Sequence, residues 1–265
     1  MPRATSQKKK TAVRQDYSVP ALEKGIEIFE LLAGEHGGLT VSEIAYRLGR
    51  SISELFRIVI VLERMQWLRK DPESARYSVT YRVLELAHRG TPAQAMSLVA
   101  APIMSELSAQ VQQSCHLVVP AGSHGLVILR QENVAHAGGF SMRLGAVVSL
   151  IGTCAGHVLL AFTEPEARED IFRQIPQPWR LRKDDVLKRL ERVRRKGYES
   201  LANPFGTGVT DISCPIHARD RKVVAALVVP YLSASEDARA LTMAQTREQL
   251  ELAGRRISQS LMLIR

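Results

Sequence analysis

Cys154 and His157 stand three residues apart in the stretch "GTCAGHVLLAF". A thiol at a helix start is a potential nucleophile, because the helix N-terminus favours the thiolate and a nearby histidine could take its proton. Cys115 and His116 are adjacent and both are metal-ligand types. Neither pattern is complete. Cys154 sits in a run of small residues suited to close backbone approach, and neighbours on a strand point to opposite faces, so Cys115 and His116 cannot easily share one ion. There is no paired CxxC and no Ser-His-Asp spacing, and no catalytic residue, metal or cofactor is expected. A second set, in "GRSISELFRIVIVLERMQWL", points to recognition instead. On a helix, Ser53 and Arg57 share a face one turn apart. Arginine's fork matches the paired acceptors of guanine, and serine suits phosphate or either base type.

That reading needs residues 51–66 to be helical, although Ile58-Val59-Ile60-Val61-Leu62 looks like a buried strand. Ser51 followed by Glu54 has capping-box spacing, which satisfies two free amide donors at a helix start. Continued as a helix, Ile52, Leu55, Val59, Leu62 and Met65 line one face, while Ser53, Glu54, Arg57, Ile60, Val61 and Arg64 look elsewhere. Ile60 and Val61 are open to two uses, contact with thymine methyls or packing against a neighbour, and packing is favoured.

The surrounding elements follow from periodicity. Leu22, Ile26, Phe29, Leu32 and Ala33 give a first helical face, ended by His36-Gly37-Gly38. Thr40 with Glu43 opens a second helix and Gly49 closes it. After the third, "WLRKDPESARYSVT" reads as two short strands around a turn. Three helices and a hairpin are the order of a winged helix-turn-helix. Residues 83–110 are expected to be mostly helical, interrupted at Gly90-Thr91-Pro92 and near Pro102, and to hold the linker between domains. From His116 the pattern is α/β: strands at "HLVVP", "GLVILRQ" and "GFSMRL", helices at "GTCAGHVLLAF" and "KDDVLKRLERVRRKGY", a strand pair around Asp220-Arg221, and a long closing helix.

The chain is 45% hydrophobic and 24% charged, a globular composition, and no apolar run approaches the ~20 residues that span a bilayer. The N-terminal tail, residues 1–18, carries Lys8-Lys9-Lys10 without periodicity and is expected to be disordered. It has no apolar signal segment, and three cysteines suit a reducing compartment, so a cytoplasmic location without membrane association is expected. A net charge of +9 points to a polyanionic partner, with nucleic acid the foremost candidate.

In order and spacing, "LEKGIEIFELLA", "LTVSEIAYRLG", Ser53 with Arg57, "HLVV", "RLGAVVSLIGTCAGHVLLAF", "RRKGY", "GVTDISCPI" and "VVAALVV" resemble the IclR family of bacterial transcriptional regulators. The resemblance implies an α+β chain. Residues 19–82 would form a winged helix-turn-helix, 83–101 a linker helix region and 102–265 a GAF-like effector-binding domain. It also implies a homodimer or homotetramer that binds double-stranded operator DNA and a small-molecule effector, as repressor or activator of catabolic genes. On the DNA side the implied set is Thr40, Arg50, Ser51, Ser53, Glu54, Arg57, Arg69, Lys70 and Arg76. Arg50, Arg69, Lys70 and Arg76 are suited to phosphate contact, with solvated surface charge as the alternative. The helix departs from the family at Ser51, Ile52 and Phe56.

By the same resemblance the effector would meet Phe140, Val148, Cys154, Ala155, Leu201, Asn203, Asp211, Val228 and Pro230. Here too the chain departs. Leu201 replaces an acid, Asp211 a cysteine, Val228 and Pro230 serines, and His157 a lysine. An unpaired Asp211 would repel a carboxylate, so an apolar, aromatic or alicyclic ligand is expected rather than a short keto acid. The alternatives are no ligand at all, or Asp211 turned aside to an arginine. For the whole chain they are a DNA-binding protein that senses nothing, or a cysteine-dependent enzyme.

Overall fold

The computed structural model describes residues 17–90, 93–133, 140–175, 183–232 and 241–263. The basic tail expected to be disordered therefore lies outside the described residues except for Tyr17 and Ser18. The chain divides between Thr91 and Pro92 into two compact units.

The first unit opens with α1 (Pro20–Ala33), whose first residue is a proline that lacks only an amide donor the helix would not use. Next, α2 (Val41–Leu48) starts at a full capping box. The Glu43 amide donates to Thr40 Oγ1 at 3.3 Å, and the Thr40 amide donates to the Glu43 carboxylate at 2.8 Å. It ends at Gly49, whose φ of 63° is the left-handed cap. The ambiguous run is helical, as α3 (Ile52–Arg64), with the Ser51 hydroxyl accepting from the Glu54 amide. Only half of the expected box forms there, because the Glu54 carboxylate pairs with Lys24 and Arg50 instead. Leu55 and Val59 are fully buried with Ile28, Leu32, Ile44 and Tyr77, each contributing roughly 1.5–3 kcal/mol. Ile52 and Met65, expected on the buried face, are half exposed, and Ile58 packs inward in their place against Gly25 and the core. The hairpin pairs β1 (Leu68–Lys70) with β2 (Tyr77–Val79). Gly38 is required at its approach to this hairpin: φ is 65° and a side chain would meet the Tyr77 carbonyl. The unit closes with α4 (Arg82–Gly90), which has no buried residue.

In the second unit α5 (Ala93–Val111) runs straight through Pro102, where a break was expected. Pro102 is exposed, and Leu98, whose carbonyl loses its partner, is on the solvent side, where water replaces the bond. Met96 and Ala100, expected in a linker, are buried in the core. There follow β3 (Cys115–Ala121), β4 (His124–Gln131), β5 (Val147–Ser149), α6 (Cys154–Ala161), α7 (Pro165–Gln174), α8 (Lys183–Lys196), β6 (Glu199–Ala202), β7 (Val209–His217), β8 (Val223–Leu232) and α9 (Met243–Leu263). The strands form one antiparallel sheet in the order β5-β4-β3-β8-β7-β6. One face carries Leu117, Ile212, Cys214 and Leu227 against α5 and α9. The other carries Val118, Ala226 and Val228 in an apolar cluster with α6 and α8 residues. Described residues of "GFSMRL", expected as a strand, are irregular and turn at Leu144-Gly145; the strand begins only at Val147. Both α7 and β6 were unanticipated.

Candidate nucleic-acid interface and small-molecule pocket

A helix that reads DNA must present unspent polar groups on a rigid, capped frame. Arg57 meets this requirement: it is exposed on α3 and, among the described residues, makes no hydrogen bond or ion pair. Ser53 is exposed one turn before it, its hydroxyl 3.3 Å from that of Ser51. Arg69 and Lys70 stand exposed on β1, Arg69 steadied by donating to the Ser78 hydroxyl and Lys70 over the Tyr77 ring. These four side chains leave their charged or polar ends available.

The other cations of the expected set are spent inside the unit. Arg50 donates through Nε and Nη2 to the two oxygens of Glu27, both at 2.9 Å, and reaches Glu54 at 3.4 Å. Arg76 donates to the Gly38 carbonyl at 2.7 Å and to Glu43 at 2.8 Å. Hydrogen bonds from the Thr40 amide and hydroxyl, opposed by desolvation and aided by Arg76, hold the Glu43 carboxyl below its ordinary range. Glu54 is likewise held low, by Lys24 first. Arg50 and Glu54 thus tie α3 to α1, and Arg76 holds the start of α2, so their charged ends are engaged within the unit. Thr40 and Ser51 serve as caps. The sequence reading passed over Tyr46 on α2, 86% exposed, and treated the half-exposed Phe56 only as a departure. An aromatic among the polar positions of an amphipathic helix was the available signal. Ile60 and Val61, expected to pack, are each 39% exposed.

In the second unit the sheet brings Cys154, Leu201, Asn203, Asp211 and Pro230 together. Asp211 pairs in register with Leu201 on one side and Pro230 on the other. Asn203 donates to its carboxylate at 2.8 Å, and the Cys154 thiol donates to its backbone carbonyl at 3.3 Å. Asp211 is thus paired, to an amide and not an arginine. Burial pushes its carboxyl up to about 6 against the pull of the Asn203 bond. Ala155 is buried in the next position of α6, and Val228 lies one row along the same sheet face between His116 and Ser213. Phe140 reaches the β6–β7 turn, where its ring would stand 3.1 Å from a Cβ on Gly206. Val148 does not join them. It pairs with Gly125 near the opposite sheet edge, although it shares one apolar cluster with Ala155 and Val228. Leu201, expected in a loop, lies on β6.

Two polar neighbours went unread. The Ser213 hydroxyl is buried without a hydrogen-bond partner among the described residues, and His116 is buried beyond Val228, its pKa pushed down to about 4 by burial alone. Strand alternation from Asp211 would have found Ser213. All three thiols are buried. Burial, with Asp211 and Glu199 adding to it, lifts Cys154 well above its ordinary value, and burial lifts Cys115 and Cys214 to about 12. Cys115 turns to the α5 face and His116 to the other, as strand geometry requires. His157 places Nε2 3.0 Å from the Ile151 carbonyl and Nδ1 3.2 Å from Glu199. Both partners are hydrogen-bond acceptors, a carbonyl and a carboxylate.

Comparison with known proteins bears on both units. The profile described as the IclR helix-turn-helix domain matches residues 21–72, and that of the bacterial transcriptional regulator IclR C-terminal domain matches residues 93–259. The HTH-type transcriptional regulator XynR of Escherichia coli is 24% identical over 248 residues, 92% of this chain and 97% of XynR. The HTH-type transcriptional regulator KdgR of Dickeya chrysanthemi is 26% identical over 231 residues, 84% of this chain and 75% of KdgR. Among solved structures, an IclR homolog of Microbacterium hydrocarbonoxydans complexed with 4-hydroxybenzoate superposes with a TM-score of 0.75 at 24% identity. The match covers 91% of this chain and 98% of that one.

Proposed function

The chain belongs to the IclR family of bacterial transcriptional regulators, and on that premise we propose which residues read DNA and what kind of effector it answers. Ser53 and Arg57 enter the major groove, with Arg57 reading a guanine, and Arg69 and Lys70 hold the backbone beside it. One observation carries this assignment: Arg50, just before the helix, is spent on Glu27 and Glu54, while Arg57 in the first half of α3 keeps its fork exposed and, among the described residues, unpaired, as Arg64 does at the far end. Phe56 and Ile60, exposed on the same helix, add apolar contact with thymine methyls. The protein acts in the cytoplasm as a homo-oligomer, because one such helix covers too few bases for useful specificity.

The effector is an aromatic molecule held between Phe140, Leu201, Val228 and Pro230, with a hydroxyl or other neutral polar group directed at the Asp211–Asn203 pair. A similar fold complexed with 4-hydroxybenzoate supports the aromatic, hydroxyl-bearing body; the carboxylate which that ligand also carries would have to lie away from Asp211 here. Above about pH 6 the ionised Asp211 accepts a hydrogen bond donated by a hydroxyl and repels a carboxylate. Binding changes DNA affinity by the difference in ligand affinity between free and DNA-bound states. The test is fluorescence anisotropy on DNA upstream of the protein's own gene, with and without hydroxylated aromatics or short keto acids. A response to the aromatics that weakens in Asn203→Ala is expected; a response to short keto acids alone contradicts the effector class.

A further inference from the structure

Beside the Asp211 site, across Leu201, α8 presents a row of cations to a cleft. Lys188, Arg189 and Arg192 lie on one helical face by their three- and four-residue spacing, and all three line a cavity of about 520 Å³. The opposite wall is Ile151 and Leu201, with Val186 beside them. Through Arg189 and Arg192 the cleft continues into a smaller one of about 180 Å³ that reaches Lys196. Opposing charge is sparse. Among the described residues no carboxylate lies within ion-pair distance of Lys188, Arg192 or Lys196. Glu199 is 4.0 Å from Arg189 but is already bound to His157, and Asp185 is the one acid lining the larger cavity.

Uncompensated guanidinium and ammonium groups around a concave, partly apolar floor match a definite ligand chemistry. Each arginine fork can take two oxygens of a phosphate or carboxylate. The volume suits a small molecule, and the aliphatic side chains leave room for a carbon body that an inorganic anion lacks. We propose that the cleft between α8 and β6 is a second ligand site, binding a small organic anion of at least two charges. Its head sits on Lys188, Arg189 and Arg192 and its apolar body on Ile151 and Leu201. Of the residues placed around the Asp211 pocket the two sites share only Leu201, so anion binding here can bias that pocket without competing for Asp211 or Asn203. Occupancy also draws Arg189 from Glu199, which keeps its bonds to His157 and the Ser200 amide.

The experiment is isothermal titration calorimetry of the full chain with phenyl phosphate, citrate, inorganic phosphate and benzoate at one fixed ionic strength. Lys188 and Arg192 are exposed and make no ion pair, so Lys188→Gln/Arg192→Gln is expected to keep the fold, checked by circular dichroism. Phenyl phosphate or citrate should bind more tightly than inorganic phosphate and benzoate. The double variant should weaken that binding about tenfold or more, while Asn203→Ala leaves it unchanged. Equal affinity in wild type and double variant overturns the proposal, as does inorganic phosphate binding as tightly as phenyl phosphate. Loss of DNA affinity in the double variant, with no anion bound by wild type, overturns it in favour of a nucleic-acid contact.

Discussion

Replacing Asp211 with asparagine should make the second unit more stable, and more so as pH rises. Asparagine keeps the shape and an oxygen that accepts from Asn203, but it cannot ionise. In the wild type, burial lifts the carboxyl from 3.8 to about 6. A raised carboxyl favours the fold while neutral. The stability tied to the neutral form is fully present below about pH 4 and is lost as pH rises through about 6. The full loss corresponds to about 3 kcal/mol at 1.36 kcal/mol per unit. About half of it has already gone by about pH 5, so about 1.5 kcal/mol remains to be lost between about pH 5 and pH 7.5. In the second unit, Pro92–Arg265, that is a shift of about 3–6 °C in midpoint. Differential scanning calorimetry of wild type and Asp211→Asn across this range should show the gap widening by that amount. A gap that stays level, or narrows towards pH 7.5, would show that Asp211 is not held in a desolvated site, and the argument against a carboxylate effector would fall with it.

Other perturbations separate framing residues from reading residues. Gly156→Ala places a Cβ 2.3 Å from the Leu150 carbonyl, which backbone cannot yield cheaply; a loss of about 3 kcal/mol or more is expected in the second unit by chemical denaturation, with the first unit's transition unmoved. Arg50→Ala, which breaks the Glu27 and Glu54 contacts, should lower the first unit's thermal midpoint while leaving the salt dependence of DNA binding unchanged. Arg69→Ala should do the reverse, flattening the log–log salt slope by about 1. The native protein should resist iodoacetamide at neutral pH, because all three thiols are buried and pushed up; rapid labelling of Cys154 would restore a case for nucleophilic chemistry.

What was legible in the sequence was local. The Thr40 box, the Ser51 cap, α8 and the β7–β8 hairpin rest on spacings of three to eleven residues, and each formed. What was hidden depended on partners far along the chain. Arg50 is spent by Glu27, twenty-three residues earlier, so no inspection of α3's surroundings could show that it was unavailable. Resemblance put Val148 among the effector residues; strand order sets it on the sheet edge far from β6, in an apolar cluster shared with Ala155 and Val228. Pro102 looked like a helix end, yet its position on the solvent side of α5 makes the missing bond tolerable. Around Asp211 the residue types were legible and the pairing was not: Asn203 donates to its carboxylate, while burial, against that bond, pushes the carboxyl up to about 6.

The central claim is that Arg57 on α3 reads a base in double-stranded DNA. Its most direct test is competition anisotropy at fixed salt, comparing wild type and Arg57→Ala on DNA upstream of the protein's own gene and on a shuffled duplex of equal length. The account predicts that the substitution costs about 1–3 kcal/mol on the upstream DNA and much less on the shuffled duplex. Equal losses on both duplexes, or none on either, would contradict it.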